Sequence, residues 1–245
     1  MALSDDDTLD AFLGGRLRLR QSRQGFRAGM DSILLASALP AIGEGRALEI
    51  GCGAGAALLA AALLNPGLRC IGVERHPEDA ARAGANVALN GLSCRVEVID
   101  ADPLADPALN LGASFDAALC NPPFNAAGRS PASARRHAHQ SEHEIGDWVN
   151  VLANRLTGGA PLVMIHRAEA LPEILGALEG KLGGVTVRPV HPFADQPAHR
   201  VLVKATKGSR AAFRMLPPLV LHEAGAKHTA LADALLRGEM RLPWD

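Results

Sequence analysis

Asn121-Pro122-Pro123-Phe124 sets a side-chain amide, two backbone carbonyls and an aromatic ring around one small spot. Pro123 fixes its own φ, has no N–H and biases Pro122 away from the helical region, so the carbonyls here stay available as acceptors. Asn121 adds a side-chain oxygen beside them, and Phe124 supplies a flat apolar face. An exocyclic amino group on a planar ring would find acceptors for both hydrogens and a surface to stack on. Asn and Pro also dominate turns through dihedral preference alone, so the tetrapeptide by itself reads equally as a turn.

A second motif lies upstream. Arg46-Ala47-Leu48-Glu49-Ile50 reads as a strand that runs into Gly51-Cys52-Gly53-Ala54-Gly55, followed by an apolar helix from Ala56 to Leu64. Alternate glycines permit positive φ and a close approach of backbone to ligand at a strand-to-helix turn. The buried strand Cys70-Ile71-Gly72-Val73-Glu74 then ends in an acid nineteen residues past Gly55. A carboxylate there is set to accept from the two hydroxyls of a ribose. The third glycine comes one residue too early for a dinucleotide fingerprint, and Glu49 would repel a pyrophosphate. A nucleoside with an amino-acid tail fits better than a dinucleotide, which argues against a Rossmann-type dehydrogenase. A third strand, Cys94 to Ile99, runs into Asp100-Ala101-Asp102 and Pro103. Asp102, and less so Asp100, would accept from an adenine amino group; an Asx turn or helix N-cap is the other reading.

The elements that position these motifs alternate. Beyond those named, Phe115 to Cys120, Ala160 to Ile165, Val185 to Val190 and Arg200 to Ala205 read as strands. Pro77 to Asn90, Ile145 to Leu156 and Ala168 to Gly180 read as helices. Such alternation predicts right-handed βαβ units and a mostly parallel sheet, with ligands at the carboxyl ends of its strands. Near the start, Arg16-Leu17-Arg18-Leu19-Arg20 alternates like a strand with leucines inward, and Asp31 would cap a helix reaching Leu39 and stopped by Pro40.

Glu49-x-Gly51-x-Gly53-x-Gly55, Glu74, Asp100-Ala101-Asp102 and Asn121-Pro122-Pro123-Phe124, in this order and spacing, resemble the S-adenosylmethionine-dependent methyltransferases. Asn-Pro-Pro-Phe resembles the motif of their amino-methylating members, which act on adenine N6, guanine N2 or a protein glutamine amide. Gly25 to Leu35, Ala134 to Trp148 and Arg200 to Leu221 are similar to the bacterial tRNA(Val) adenine-N6-methyltransferase family. Phe124 stands where Tyr is commoner, which keeps stacking and removes a hydroxyl. The resemblance implies a seven-stranded, mostly parallel Rossmann-like sheet with helices on both faces, spanning 41–245, and a small N-terminal strand and helix extension, 1–40, packed on it. It implies methyl transfer from S-adenosylmethionine, leaving S-adenosylhomocysteine, to adenine N6 in a tRNA, with guanine N2 or a glutamine amide as alternatives and no metal. Asn121, Pro122, Pro123 and Phe124 would be catalytic. Glu49, Gly51, Gly53, Gly55, Glu74 and Asp102 would hold the cofactor, with Asp31 near its methionine end.

Composition bounds the rest. A chain of 245 residues with 48% hydrophobic content sustains a large core. A formal net charge of −1 argues against indiscriminate nucleic-acid binding, so RNA contact falls to local clusters. These are Arg16, Arg18, Arg20, Arg23 and Arg27; Lys204, Lys207, Arg210 and Arg214; and the 129–143 loop with Arg135, Arg136, His137 and His139. His137, His139 and His143 lack the spacing of a metal ligand set. Cys52, Cys70, Cys94 and Cys120 show no zinc pattern and read as reduced core residues; without a signal peptide or an apolar span, a cytoplasmic protein is expected.

Overall fold

The computed structural model describes residues 7–23, 27–106, 109–112, 114–123 and 144–245. Among the described residues seven strands form the main sheet: β3 (Gly45–Ile50), β4 (Leu68–Glu74), β5 (Val96–Asp100), β6 (Ala117–Cys120), β7 (Pro161–Arg167), β8 (Gly183–His191) and β9 (Arg200–Thr206). Their order is β8-β9-β7-β6-β3-β4-β5, and only β9 runs antiparallel to its neighbours. Two further strands of two residues, β10 (Arg214–Met215) and β11 (Leu219–Val220), pair with β8 and bring the sheet to nine. The architecture is α/β, a mostly parallel Rossmann-like sheet with helices on both faces.

Apolar side chains leave alternate strand positions for opposite faces, as the period of two requires. Leu162 and Met164 of β7 enter one buried cluster, and Val163 and Ile165 enter the other. Helices α1 (Met30–Ser37), α2 (Ala56–Leu64) and α6 (Ala230–Arg237) cover the face of Val163 and Ile165, and α4 (Ile145–Ala153) and α5 (Leu171–Leu178) cover that of Leu162 and Met164. α3 (Pro77–Leu89) packs against β5 and the N-terminal hairpin. α2 is buried nearly all round, as its unbroken Ala/Leu sequence demands.

The N-terminal extension departs from expectation in two ways. The arginine-leucine alternation is β2 (Leu17–Ser22), with Leu17 and Leu19 fully buried, but it is paired in a hairpin with a strand not anticipated, β1 (Asp7–Phe12). Asp31 is not the N-cap of α1: Gly29 holds that position, and Asp31 lies inside the first turn. The expected helix from Ala168 to Gly180 is a 3-10 turn, Ala168–Ala170, leading into α5; Pro172 sits in the first turn of α5, where a proline is tolerated. The chain closes on itself when Trp244 Nε1 donates to the Ala38 carbonyl at 2.7 Å and Leu242 N to the Ser37 carbonyl at 2.9 Å.

Candidate active site

Parallel register aligns the strand exits. Cys120 pairs with Ile50, Ile50 with Val73, and Glu74 with Asp100. Asn121, Gly51, Glu74 and Asp100 therefore share the carboxyl edge of the sheet, where all the residues singled out on β3 to β6 assemble.

The glycine loop is held by backbone and carboxylate. Gly51 N and Cys52 N donate to the Val73 carbonyl at 2.7 and 3.2 Å, and Gly53 N donates to Glu74 Oε2 at 2.9 Å. Gly51, at φ +67°, lies beneath Trp148 of α4: a Cβ there would stand 2.7 Å from the indole. Gly53, at φ +54°, has no atom within 4 Å of its would-be Cβ, so a ligand can approach its backbone. Glu74 also accepts from His76 N at 2.9 Å. Its two oxygens retain acceptor capacity beyond these two bonds.

Among the described residues two buried oxygens at this edge have no donor. They are Glu49 Oε2 and Asn121 Oδ1. Burial pushes the Glu49 carboxyl well above the usual carboxylate range; a backbone contact with Leu58 lowers it in part, and Glu74 raises it further. Burial likewise raises the thiols of Cys52 and Cys120, and that of Cys70 to about 12, so these cysteines are protonated core residues. Cys94 is an exception to the core expectation: it is exposed in the turn before β5.

His166 is a residue that the sequence reading missed. β7 runs on past the end of β6, so His166 lies beside the backbone of the Pro-Pro segment, with its ring against Pro123. It is 3% exposed. Burial first, then the neighbouring Arg167 and Arg200, lower its pKa to about 4, so the imidazole is neutral at ordinary pH. A histidine directly after the apolar run 162–165 of β7 was the available signal. Beyond it, Arg200 Nε donates to Asp31 Oδ2 at 2.8 Å. Asp31 thus reaches the same edge from α1, already carrying a cationic partner.

Asp102 shows the turn geometry left open above: Oδ1 accepts from Leu104 N at 2.9 Å and Ala105 N at 3.2 Å, while Oδ2 lies 3.8 Å from Arg75. Phe124 and the 129–143 loop with its histidines lie outside the described residues. Among the described residues no group of three or more His, Cys, Asp or Glu side chains is disposed to hold a metal, and no helix is long and apolar enough to cross a membrane.

The basic clusters divide. Arg16 donates to the Arg237 and Gly238 carbonyls at the end of α6, and Arg27 pairs with Asp10, so neither is a spare surface cation; Arg18 and Arg23 are exposed. Arg200 opens β9 at the carboxyl edge and the strand runs away from it, so Lys207, bonded to Gly159 and Ala160, sits on the order of 20 Å off at the opposite edge. Lys204 lies over the Trp244 ring and Arg214 donates to the Trp244 carbonyl. The 204–214 group does not border the site.

The family profile described as methyltransferase small domain matches residues 26–160. Curated relatives include the tRNA1(Val) (adenine(37)-N6)-methyltransferases of Yersinia pestis (strain Pestoides F) and Yersinia pseudotuberculosis serotype O:1b, each 33% identical over 103 residues, 42% of this chain and 41% of the relative. The match therefore spans about two fifths of those proteins' length. Among solved structures, a protein from Agrobacterium tumefaciens described as a predicted O-methyltransferase superposes with a TM-score of 0.74 at 29% identity, covering 86% of this chain and 98% of that one. A tRNA (m1A58) methyltransferase from Aquifex aeolicus shares the fold, with a TM-score of 0.55 at 19% identity over 77% of this chain and 72% of that one.

Proposed function

The chain belongs to the methyltransferase small domain family, and from that premise we propose that it transfers a methyl group from S-adenosylmethionine to an exocyclic amino nitrogen, adenine N6 of a tRNA. One observation carries the choice of acceptor: the buried Asn121 Oδ1 has no donor among the described residues. A buried acceptor without a partner costs roughly 1–3 kcal/mol, a cost that a bound N–H would relieve.

Bound S-adenosylmethionine supplies a methyl group on a sulfonium. The residues fit such a group. Gly53 leaves loop backbone open to approach, Glu74 has acceptor capacity for ribose hydroxyls, and Asp102, just past the exit of β5, would accept from the adenine. Asp31 and the donor-free Glu49 oxygen are the acids for an ammonium. A cation brought beside Glu49 would favour its ionised form and offset the burial that now raises its pKa.

An adenine amino nitrogen is a poor nucleophile because its lone pair is delocalised into the ring. Asn121 Oδ1 and the Pro122 carbonyl accept its two hydrogens, favour a pyramidal nitrogen and stabilise the positive charge that develops there. Alignment then matters more than a strong base, and the proton leaves after transfer. An aromatic residue after the two prolines, Phe124 in the sequence, would stack on the base, a contact worth roughly 1–3 kcal/mol. Two acceptors suit an NH2 group; an O-methyl acceptor, as named for the Agrobacterium relative, has one hydroxyl hydrogen and would leave one of them unused. The tRNA substrate rests on the Yersinia relatives' stated activity and on the arginines Arg18 and Arg23 exposed on the hairpin.

Nucleoside mass spectrometry of tRNA from cells with and without the gene tests this reading. N6-methyladenosine should fall in tRNA when the gene is absent. Radiolabelled methyl transferred by the purified protein to a glutamine amide or to guanine, and not to tRNA adenine, would overturn it.

A further inference from the structure

Two asparagines one helical turn apart, Asn86 in α3 and Asn90 at its C-cap, behave as a third strand for the N-terminal hairpin. Arg20 N donates to Asn86 Oδ1 at 2.7 Å and Asn86 Nδ2 to the Arg20 carbonyl at 2.9 Å. Asn90 repeats the arrangement on Arg18, at 2.9 and 2.7 Å. The outer edge of β2 is thus closed by side-chain amides, which removes an exposed strand edge.

The two differ in the partner of their third bond: Asn90 Nδ2 donates to the Asn86 carbonyl at 2.8 Å, within its own helix end. Asn86 is fully buried, and its Nδ2 also donates to the carbonyl of Ala54 at 2.9 Å. Ala54 sits between Gly53 and Gly55. With its carbonyl fixed toward α3, the Ala54–Gly55 peptide plane is set, and the Gly55 N–H on its other side donates to the Cys52 carbonyl at 2.9 Å. Ala83, one turn earlier on α3, meets the same loop at Gly55, where a Cβ would lie 3.4 Å from the Ala83 methyl. Gly51 and Gly53 are held by Val73 and Glu74 on β4, so the Asn86 amide supplies the remaining anchor of the loop.

We propose that Asn86 is a positioning residue for cofactor binding, which fixes the glycine loop through the Ala54 carbonyl and ties that loop to the backbone of the arginine-bearing hairpin. The proposal rests on the reading of Gly51–Gly55 as the cofactor loop. Asn86 touches no reacting atom. Its effect falls on cofactor affinity, while turnover at saturating cofactor is set elsewhere. Because the same amide holds Arg20, any ligand that steadies the hairpin steadies the loop, and the coupling runs both ways.

Asn90 is the built-in control, since it makes the same paired bonds to the hairpin and none to the loop. In the full-length protein, Asn86→Ala should weaken S-adenosylhomocysteine binding in calorimetry about tenfold, raise the KM for S-adenosylmethionine correspondingly and leave kcat within about threefold. Asn90→Ala should leave both the affinity and the KM within about threefold of the unaltered protein. If Asn86→Ala does not fold, amide hydrogen exchange on the unaltered protein decides: S-adenosylhomocysteine should increase protection at Arg20 more than at Arg18. Equal losses in the two variants, unchanged affinity in a folded Asn86→Ala, or no added protection at Arg20 would each overturn the proposal. Failure of the unaltered protein to bind S-adenosylhomocysteine would sink the cofactor reading itself and the inference with it; binding that is indifferent to Asn86 sinks the inference alone.

Discussion

Asp31 in the first turn of α1 and Arg200 at the start of β9 meet at 2.8 Å, joining residues 169 positions apart at the carboxyl edge of the sheet. Both side chains keep about 30% of their surface exposed, so the pair contributes under about 1 kcal/mol to stability. Arg200→Ala should shift the melting midpoint by a few degrees at most. Asp31→Ala should weaken S-adenosylmethionine binding about tenfold, a change of roughly 1.4 kcal/mol, and leave binding of methylthioadenosine, which lacks the amino-acid tail, unchanged. Equal loss for both ligands would remove Asp31 from the ammonium site.

Asn121→Ala should cost about 10²–10³ in kcat, the usual effect of deleting one group that stabilises transition-state charge. Calorimetry should find S-adenosylhomocysteine binding within about threefold of the unaltered protein. Loss of both together would count against assigning Asn121 to the acceptor side.

His166 makes stability depend on pH in a defined window. An unfolded imidazole takes a proton near pH 6.5, whereas the folded one does so at about 4. Above that window neither form is charged and no penalty exists. As pH falls through it the unfolded chain gains a proton that the folded chain refuses, so stability drops by roughly 3 kcal/mol by pH 4. His166→Gln should flatten this part of the melting-midpoint profile, and a profile of unchanged slope would dismiss the burial argument.

Gly51 and Gly53 both sit at positive φ but should respond differently to alanine. At Gly51 the added methyl meets the Trp148 indole at 2.7 Å, so strain and overpacking together should cost roughly 2–3 kcal/mol. At Gly53 no atom is met within 4 Å, leaving only the backbone term of roughly 1–2 kcal/mol. Melting without ligand should rank Gly51→Ala below Gly53→Ala. The gain in midpoint on adding S-adenosylhomocysteine should be smaller for Gly53→Ala than for the unaltered protein.

Trp244 is 9% exposed and bonded to the Ala38 carbonyl. Trp244→Ala should cost about 3–5 kcal/mol in chemical denaturation. It should also release Lys204, whose pKa is lowered mainly by burial, toward the range of an exposed lysine.

The motifs were legible because their meaning is local. Gly51-x-Gly53-x-Gly55 and Asn121-Pro122-Pro123 dictate backbone behaviour from their own residue types, and the continuous apolar runs of β6, 117–120, and of β7, 162–165, mark strands buried on both faces. What escaped depends on partners distant in sequence. Asp7-Thr8-Leu9-Asp10 reads as a polar segment until Arg82 and Arg27 neutralise its acids. His166 looks like the polar end of a strand until register sets it beside Pro123. Lys204 and Arg214 look like an RNA-binding group until the direction of β9 and the Trp244 contacts direct them elsewhere. Asn86 and Asn90 look like ordinary helix residues until the hairpin edge arrives.

The anchoring of Leu242 and Trp244 beneath the end of α1 has a consequence for biosynthesis. A nascent chain emerges in sequence order, so Ala38 leaves the ribosome some two hundred residues ahead of the indole that covers it. Until then the early apolar segments lack their final cover, which makes this half of the core the stretch most exposed to wrong partners during translation.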